Sequence, residues 1–203
     1  MPDEKTSRAA RRTRLALKLA FVELILEKEY EAVTILDVAN RADYNRGTFY
    51  KHYNSKEDLL RDIHDDFLLS IADALVRPYQ GLKQIDTARI APSIQDLFLH
   101  IEQHKSEFLA LAKVSREKLH SDLIATLHHS MSESMHIELK PAPLPIEYEI
   151  LLSYQISATV GVIMYWADTN FKYSTSYMAD QLLGLINTPI DHITFRNHTS
   201  RNQ

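Results

Sequence analysis

The chain of 203 residues contains no cysteine, only four glycines and one tryptophan. Without cysteine it has no disulfide, thiol redox switch or cysteine nucleophile. It also lacks a glycine-rich phosphate loop, a nucleophile elbow and a metal-hydrolase motif, so we expect no enzymatic activity and no cofactor. No uninterrupted apolar run of about 18 residues is present, and no apolar secretory segment follows the first residues. We therefore expect a soluble, cytoplasmic protein without a membrane span.

Charged residues are distributed unevenly along the chain, whose net charge is −4. The first 60 residues carry 11 Lys and Arg against 10 Asp and Glu, whereas the remainder carries 12 against 17. Between Lys5 and Lys18 there are six basic residues and no acidic one. A basic segment on an acidic body favours a local phosphate-binding surface, and a solvated, frayed N-terminus is the alternative.

Apolar residues recur with a period of about 3.6 nearly throughout, which predicts an all-α chain. Three alternating prolines in 140–145 predict an extended linker, because they cannot propagate a helix. One face of the first helix carries four apolar residues in 4-3-4 spacing, namely Leu15, Leu19, Val22 and Leu26. The predicted helices span about 7–28, 34–41, 45–51, 55–78, three segments capped by Ser93, Ser106 and Ser121, then 146–168 and 176–187.

The segment 34–60 carries the most specific pattern in the chain. Residues 34–37 and 55–58 each form a capping box, which marks the start of a helix. Two very short helices lie between these boxes, and Asp43 in the turn that joins them suits a left-handed backbone conformation. Short helices joined in this way predict a helix-turn-helix, whose second helix enters the major groove of DNA.

The second short helix, 45–51, is unusual for a core element. Phe49 can anchor it inward, and Asn45 can cap its N-terminus. Gly47 costs about 1 kcal/mol relative to alanine in a helix, which makes sense if the backbone closely approaches DNA or another helix. Four further side chains cannot all be buried and are of types that contact bases or phosphates, namely Arg46, Thr48, Tyr50 and Lys51.

Three blocks of this segment closely resemble the DNA-binding domain of the TetR family of transcriptional regulators. They are Thr34-Ile35-x-Asp37-Val38-Ala39-x-x-Ala42, Gly47-Thr48-Phe49-Tyr50-x-His52-Tyr53 and Ser55-Lys56-Glu57-Asp58-Leu59-Leu60. The resemblance spans about residues 8–67 and implies a three-helix helix-turn-helix domain followed by a larger helical regulatory and dimerisation domain. The DNA-contacting set that we predict is Thr34, Asn45, Arg46, Gly47, Thr48, Tyr50, Lys51, His52 and Lys56.

By this resemblance, Arg46, Thr48 and Lys51 read bases. The residues around them, including His52 and Lys56, contact phosphates.

The chain departs from the family pattern at several positions. Asp43 stands in place of the turn glycine, and Tyr44 in place of a small aliphatic residue. Leu36 occupies a position that is polar in some members, so we expect no base reading from the first motif helix. Tyr53 replaces a phenylalanine, and we expect its ring to pack and its hydroxyl to meet water or phosphate.

The predicted domains are 1–54 for DNA binding, 55–191 for ligand binding and dimerisation, and a loose tail at 192–203. Ser153, Ser157 and Gly161 form a stripe of small residues on a long apolar helix, which lets another helix approach closely. Pairing of this stripe with the last helix resembles the family's four-helix dimer interface, and close packing inside one subunit is the alternative. The predicted dimer contacts on the last helix are Leu182, Leu185 and Ile186.

A pocket for an unidentified small-molecule effector is expected among the middle helices, with ordinary core packing as the alternative for each lining residue. Its candidate lining consists of Phe108, Leu111, Tyr154, Met164, Tyr165 and Trp166. His100 and His104 stand four residues apart, a spacing that suits a metal, but no carboxylate motif accompanies them and we predict no metal site. We interpret these histidines as solvated residues of a helix face.

The predicted function is that of a DNA-binding transcriptional regulator, a dimeric repressor that a small-molecule effector releases from its operator. Its partners are then palindromic double-stranded DNA and a second copy of the chain, because two recognition helices about 34–36 Å apart read a palindrome. The alternative is a dimeric DNA-binding protein without an effector, whose C-terminal domain serves dimerisation or protein docking.

Overall fold

The structure, a computed structural model, describes residues 4–79, 91–134 and 146–187. These ranges hold eight α-helices and no β-strand, which confirms the predicted all-α class. The predicted proline linker at 140–145 and the tail at 192–203 lie outside the described residues. The helices are α1 (Glu4–Glu27), α2 (Ile35–Arg41), α3 (Arg46–Tyr50), α4 (Lys56–Val76), α5 (Ala91–Gln103), α6 (Lys105–Ser134), α7 (Tyr148–Asp168) and α8 (Thr175–Asn187).

Helix α1 forms as predicted but buries a different face. Leu15, Leu19 and Leu26 of the predicted apolar face are 57%, 49% and 38% exposed. Apolar residues occur on more than one side of this helix, so their spacing predicts a helix without deciding which side packs against α2 and α6. The side chains that α1 buries most completely are those of Leu17, Phe21 and Ile25, and of the predicted face only Val22 is buried.

None of the three serines predicted to cap helices in the middle of the chain does so, and Ser106 lies in the first turn of α6. Ser93 lies within α5, where its side chain is buried and its Oγ accepts a hydrogen bond from the Tyr79 hydroxyl at 2.7 Å. Ser121 lies within α6, which is interrupted earlier, at Ser115 (φ −159°, ψ 99°). The Ser115 Oγ accepts from the Lys118 backbone N–H at 3.4 Å, so Ser115 caps the second half of α6.

A cluster of aromatic rings fills the core between α4, α5, α6 and α7. The ring of Trp166 lies 5.4 Å from that of Phe98 and 4.8 Å from that of Phe171, measured between centroids. Phe108 lies 5.9 Å from both Phe67 and Phe171. Because α4 packs against both α5 and α6, it joins the N-terminal helices to this core.

Helix α7 is the one helix in the described ranges that is long and apolar enough, by length and composition alone, to cross a membrane. One of its faces packs into the protein core, through Leu152, Ile156, Val160 and Ile163. The core helix of a soluble protein passes the same test of length and composition. We therefore interpret α7 as a core helix with a second, exposed apolar face.

Candidate nucleic-acid interface

The capping box predicted at the start of α2 is present. The Thr34 Oγ accepts from the Asp37 backbone N–H at 3.1 Å, and the Asp37 carboxylate accepts from the Thr34 N–H at 2.9 Å. A hydrogen bond from Lys28, followed by those from Thr34, lowers the pKa of Asp37 to about 2. The Thr34 side chain is exposed, so a phosphate can reach its hydroxyl.

The turn between α2 and α3 has the predicted left-handed residue, since Asp43 adopts φ 59°. The chain is held at this point by a hydrogen bond from the Tyr44 N–H to the Ala39 carbonyl at 2.8 Å. The half-buried Tyr44 side chain lies against α1, where its hydroxyl lies 3.5 Å from the Thr13 Oγ, which donates its own hydrogen to the Ala9 carbonyl. The bulky residue that departs from the family pattern therefore ties the turn to α1.

Helix α3 is seated by one buried side chain and one cap. Phe49 is fully buried, as predicted, and its ring centroid lies 5.8 Å from that of Tyr53. The Asn45 Oδ1 accepts from both the backbone N–H and the hydroxyl of Thr48, at 2.8 and 3.1 Å. Asn45 thereby keeps only its amide N–H groups for other partners, and the Thr48 oxygen is presented as an acceptor.

The rest of α3 faces solvent. Arg46, Gly47 and Lys51 are exposed, and Tyr50 is 45% exposed. A Cβ placed on Gly47 would lie 3.2 Å from the Asn45 Oδ1 and within 4 Å of no other atom apart from the glycine's immediate neighbours and its own helix backbone. No second helix therefore approaches Gly47 within the described subunit, which leaves close approach of DNA, or room for the cap, as the reason for glycine.

Arg46 and Tyr50 lie one helical turn apart on α3 and contact each other. The Arg46 Nη2 donates to the Tyr50 hydroxyl at 3.1 Å. The guanidinium carbon also lies 5.5 Å from the centroid of the Tyr50 ring, in cation–π range.

Lys56 was predicted to contact phosphate, but the structure directs its ammonium into the protein. Its Nζ donates to the carbonyls of Tyr30, Glu31 and Val33 at 2.9, 3.2 and 3.0 Å, and lies 4.4 Å from the Tyr30 ring centroid. An ammonium has three hydrogens to donate, and all three are used here. Lys56 therefore joins α4 to the 3₁₀ turn Tyr30–Ala32 and is not available for DNA without losing one of these bonds.

His52 is half-buried beside α3. Burial lowers its pKa below the ordinary value, and the positive charges of Arg14 and Lys51 lower it further. The lowered pKa favours the neutral side chain, which can still donate one N–H to a phosphate.

The Tyr53 hydroxyl was expected to meet water or phosphate, and it meets Asp62 instead, at 2.6 Å. Tyr53 is buried, and burial followed by this hydrogen bond raises the pKa of its hydroxyl. Arg14 donates to both carboxylate oxygens of Asp62 at 2.7 and 2.8 Å. Lys18 lies 2.8 Å from the same carboxylate and 2.6 Å from that of Asp66.

This network reduces the basic surface that the sequence predicts. Arg14 and Lys18 are paired with acidic residues of α4, which reduces the positive charge that they add around α3. Arg11 and Arg12 keep exposed side chains on α1. Sequence reasoning missed Asp62 and Asp66, although their spacing of four residues places two carboxylates on one face of α4.

The small-residue stripe of α7 lies on the surface. Ser153, Ser157 and Gly161 are exposed, and a Cβ on Gly161 would meet nothing within 4 Å apart from its immediate neighbours and its own helix backbone. Large apolar side chains surround the stripe, since Ile150 and Tyr154 are 63% and 67% exposed. Close packing inside one subunit, the alternative account of the stripe, is therefore excluded within the described residues.

The three predicted dimer residues of α8 divide between surface and core. Leu185 and Ile186 are 64% and 40% exposed, whereas Leu182 is only 2% exposed and belongs to the core of its own subunit. Gly184, which was not predicted, faces open space beside Leu185. The period of the helix explains this error, because Leu182 and Leu185 are both apolar and only packing decides which one turns inward.

The six predicted pocket residues are not brought together. Tyr154 and Tyr165 are 67% and 55% exposed on α7. An open groove of about 440 Å³ runs along this exposed face and is lined by Glu149, Ile150, Ser153, Tyr154 and Ser157. The other four residues, Phe108, Leu111, Met164 and Trp166, are buried in the core.

The predicted histidine pair is in contact. The rings of His100 and His104 lie 4.4 Å apart, measured between centroids. The His100 Nε2 lies 2.9 Å from the Ser70 Oγ, and it donates there because the Ser70 hydroxyl donates to the Phe67 carbonyl at 2.7 Å. In the part of the chain that the structure describes, no group of three or more His, Asp and Glu side chains is placed to hold a metal.

Two short helices, a tight turn with one left-handed residue, and an exposed polar helix on a buried phenylalanine define a helix-turn-helix DNA-binding protein. Comparison with known families agrees in both halves of the chain. Residues 20–63 match the family described as "Bacterial regulatory proteins, tetR family", and residues 89–188 match "Transcriptional regulator C-terminal region".

Two curated relatives come from Bacillus subtilis (strain 168). The uncharacterized HTH-type transcriptional regulator YxbF is 19% identical over 171 residues, 84% of this chain and 43% of the relative. The uncharacterized HTH-type transcriptional regulator YdeS is 33% identical over 88 residues, 43% of this chain and 38% of the relative. The chain thus spans less than half the length of these curated relatives.

A solved structure shares the fold over nearly its whole length. The TetR transcriptional regulator from Streptococcus agalactiae 2603V is 22% identical, with a TM-score of 0.59 over 89% of this chain and 97% of that chain. The chain belongs to the TetR family and is a DNA-binding transcriptional regulator. Members of this family are typically homodimeric repressors.

Proposed function

We propose that the chain is a homodimeric, cytoplasmic repressor that binds a palindromic operator by placing α3 in the major groove. The observation that carries this proposal is the exposed polar surface of α3 on its buried anchor, Phe49. Side chains that project from a rigidly seated helix can read base edges, whereas a mobile helix would lose affinity to ordering. Occupancy of the operator by such a dimer blocks transcription.

The exposed groups of α3 and its flanks divide into two roles. Arg46 and Lys51 are exposed and Thr48 is half-buried beside them, and all three supply hydrogen-bonding types that distinguish base pairs. We assign the exposed Thr34 hydroxyl, one ring N–H of His52 and the Asn45 amide group to backbone phosphates. Lys56 is omitted from this set because its three hydrogens are used within the subunit.

Dimerisation through α7 and α8 is supported by the surface on which the two glycines lie. Gly161 and Gly184 cost helix stability and relieve no crowding inside the subunit, where a Cβ at either would meet open space. Exposed apolar residues accompany them, with Ile150 on α7 and Leu185 on α8 both more than 60% exposed. Apolar side chains around small residues suit close packing of helices from a second copy of the chain.

Release of this repressor by a small-molecule effector was the predicted mode of regulation. The packing of the core instead favours the alternative, in which the C-terminal domain serves dimerisation or protein docking. Phe108 and Trp166, which were to line a pocket, each make close ring contacts with Phe171, and the two exposed tyrosines of the predicted set lie on the surface of α7. A thermal-shift screen against chemically diverse compounds tests this choice. A compound that stabilises the protein in a saturable manner would support release by an effector.

Selection from random-sequence DNA duplexes tests the DNA-binding proposal. The full chain should enrich a palindromic site, and Arg46→Ala should bind that site with lower sequence discrimination. Arg116→Ala is the matched control, because it removes the same charge from α6, where Arg116 pairs with Asp168. Equal enrichment by wild type and both variants would show that α3 does not read the DNA.

A further inference from the structure

The contact between Arg46 and Tyr50 bears on how the proposed DNA interface reads sequence. The two side chains lie at positions i and i+4 of α3, so they share one flank of the helix. The pair is joined both by a hydrogen bond of 3.1 Å and by stacking of the guanidinium over the ring at 5.5 Å. These two interactions restrain the long arginine side chain before any DNA is present.

The hydrogen-bonding capacities of the two groups are complementary to DNA. The Tyr50 oxygen accepts from Arg46 and therefore keeps its own hydrogen, which can be donated to a phosphate. Arg46 spends one of its five N–H groups on Tyr50 and retains four, enough for a bidentate contact. The base edge that accepts two such bonds in the major groove is that of guanine, through O6 and N7.

We propose that Tyr50 is a positioning residue for Arg46, which it holds in the orientation that reads a guanine in each operator half-site. The proposal rests on the proposed function, because it requires α3 to lie in the major groove. Fixing a flexible side chain beforehand reduces the rotamer freedom lost on binding. A phosphate that accepts the Tyr50 hydrogen would restrain the tyrosine further.

This role differs from that of a phosphate contact in what it does to sequence preference. Removal of a phosphate contact weakens binding to every sequence equally. Removal of a group that orients a base-reading arginine weakens binding mainly at the base pair which that arginine reads. The hydroxyl of Tyr50 can be removed alone by Tyr50→Phe, which keeps the ring.

The experiment uses the full chain and the duplex that it selects from a random-sequence pool. Affinities are measured for that duplex and for duplexes in which each base pair is replaced in turn. Each duplex is tested with the wild-type protein, Arg46→Ala, Tyr50→Phe and the double variant. We expect Arg46→Ala to lose the discrimination at one G·C pair per half-site, about 5- to 100-fold. Tyr50→Phe should lower discrimination at the same pair about 2- to 10-fold, and in the Arg46→Ala background it should cause no further loss of that discrimination.

A second double-variant cycle, which combines Lys51→Ala with Tyr50→Phe, supplies the control. The affinity loss of this double variant should equal the product of the losses of the two single variants. Thermal unfolding of each variant checks that the fold is intact. The proposal is overturned if Tyr50→Phe weakens all duplexes equally, or if its effect is the same with and without Arg46. If no α3 variant loses affinity or discrimination, the proposed function itself is overturned.

Discussion

The hydroxyl of Tyr53 donates to the carboxylate of Asp62 at 2.6 Å, at the junction between the helix-turn-helix and α4. Arg14 of α1 donates to the same carboxylate, so three elements of the DNA-binding end meet at one acidic group. Phe49 of α3 packs on the Tyr53 ring. The orientation of α3 is thereby coupled to α1 and α4 through a polar network as well as through the apolar core.

The first prediction concerns acid stability. Burial alone would raise the pKa of Asp62, but hydrogen bonds from Arg14, Lys18 and Tyr53 outweigh it and lower the pKa to about 2. Because the pKa is depressed in the folded state, the stabilisation is present above about pH 4 and is lost as the pH falls to about 2. Asp62→Asn should lower the free energy of unfolding at pH 7. Between about pH 4 and about pH 2 the free energy of unfolding of this variant should decrease less than that of wild type.

Denaturant unfolding at a series of pH values measures this effect. Asp66→Asn is the matched control, since its carboxylate is 70% exposed and contacts Lys18 alone among the groups of the network. An Asp62→Asn protein whose stability follows the wild-type pH dependence would contradict the assignment.

The second prediction separates Lys56 from Lys51. Lys56→Ala removes three donors from backbone carbonyls and should lower the free energy of unfolding by about 1–3 kcal/mol, with little change in the salt dependence of DNA binding. Lys51→Ala should leave stability nearly unchanged, because its side chain is exposed, and should lower the slope of log K against log salt by about one if Lys51 lies near a phosphate. If Lys56→Ala instead lowers the salt dependence of DNA binding and leaves stability unchanged, Lys56 contacts DNA.

The third prediction concerns the exposed face of α7. Gly161→Arg should convert the protein into a monomer, because the new side chain would enter the proposed interface, while the folded subunit has room for it. Sedimentation or light scattering reports the mass. Ala125→Arg, at an exposed position of α6, should leave the oligomeric state as in wild type. A Gly161→Arg protein that still dimerises would place the interface elsewhere.

The fourth prediction concerns pH and DNA affinity. The pKa of His52 is lowered in the free protein, and a phosphate beside it would raise that pKa in the complex. Affinity for DNA should therefore increase as the pH falls through the raised pKa of the complex, and this increase should end below the lowered pKa of the free protein. His52→Asn, which can donate but cannot take up a proton, should abolish this increase when binding is measured at constant ionic strength.

The helix-turn-helix could be predicted closely because its signals are local. The cap at Thr34, the left-handed residue Asp43 and the anchor Phe49 all depend on neighbours within a few residues. The family resemblance of this segment added the assignment of the DNA-facing side chains. A sequence pattern of this kind reports backbone conformation well, because short-range sterics and hydrogen bonds decide it.

Tertiary partners could not be predicted in the same way. Lys56 and Tyr30 are 26 residues apart, and Arg14 and Asp62 are 48 apart, so nothing local indicates that they pair. The choice between Leu182 and Leu185 for the core of α8 likewise depends on which face meets α5. The predicted pocket failed for the same reason, since aromatic residues that fill a core and residues that line a cavity have the same composition.

The most direct test of the account is the sequence that the purified chain selects from random DNA, followed by affinity measurement with Arg46→Ala. The account predicts a palindrome whose half-sites are separated by about 10–10.5 bp or a multiple of it, with a G·C pair in each half-site that Arg46→Ala no longer distinguishes. A selected site without two-fold symmetry, or one bound with unchanged discrimination by Arg46→Ala, would contradict it.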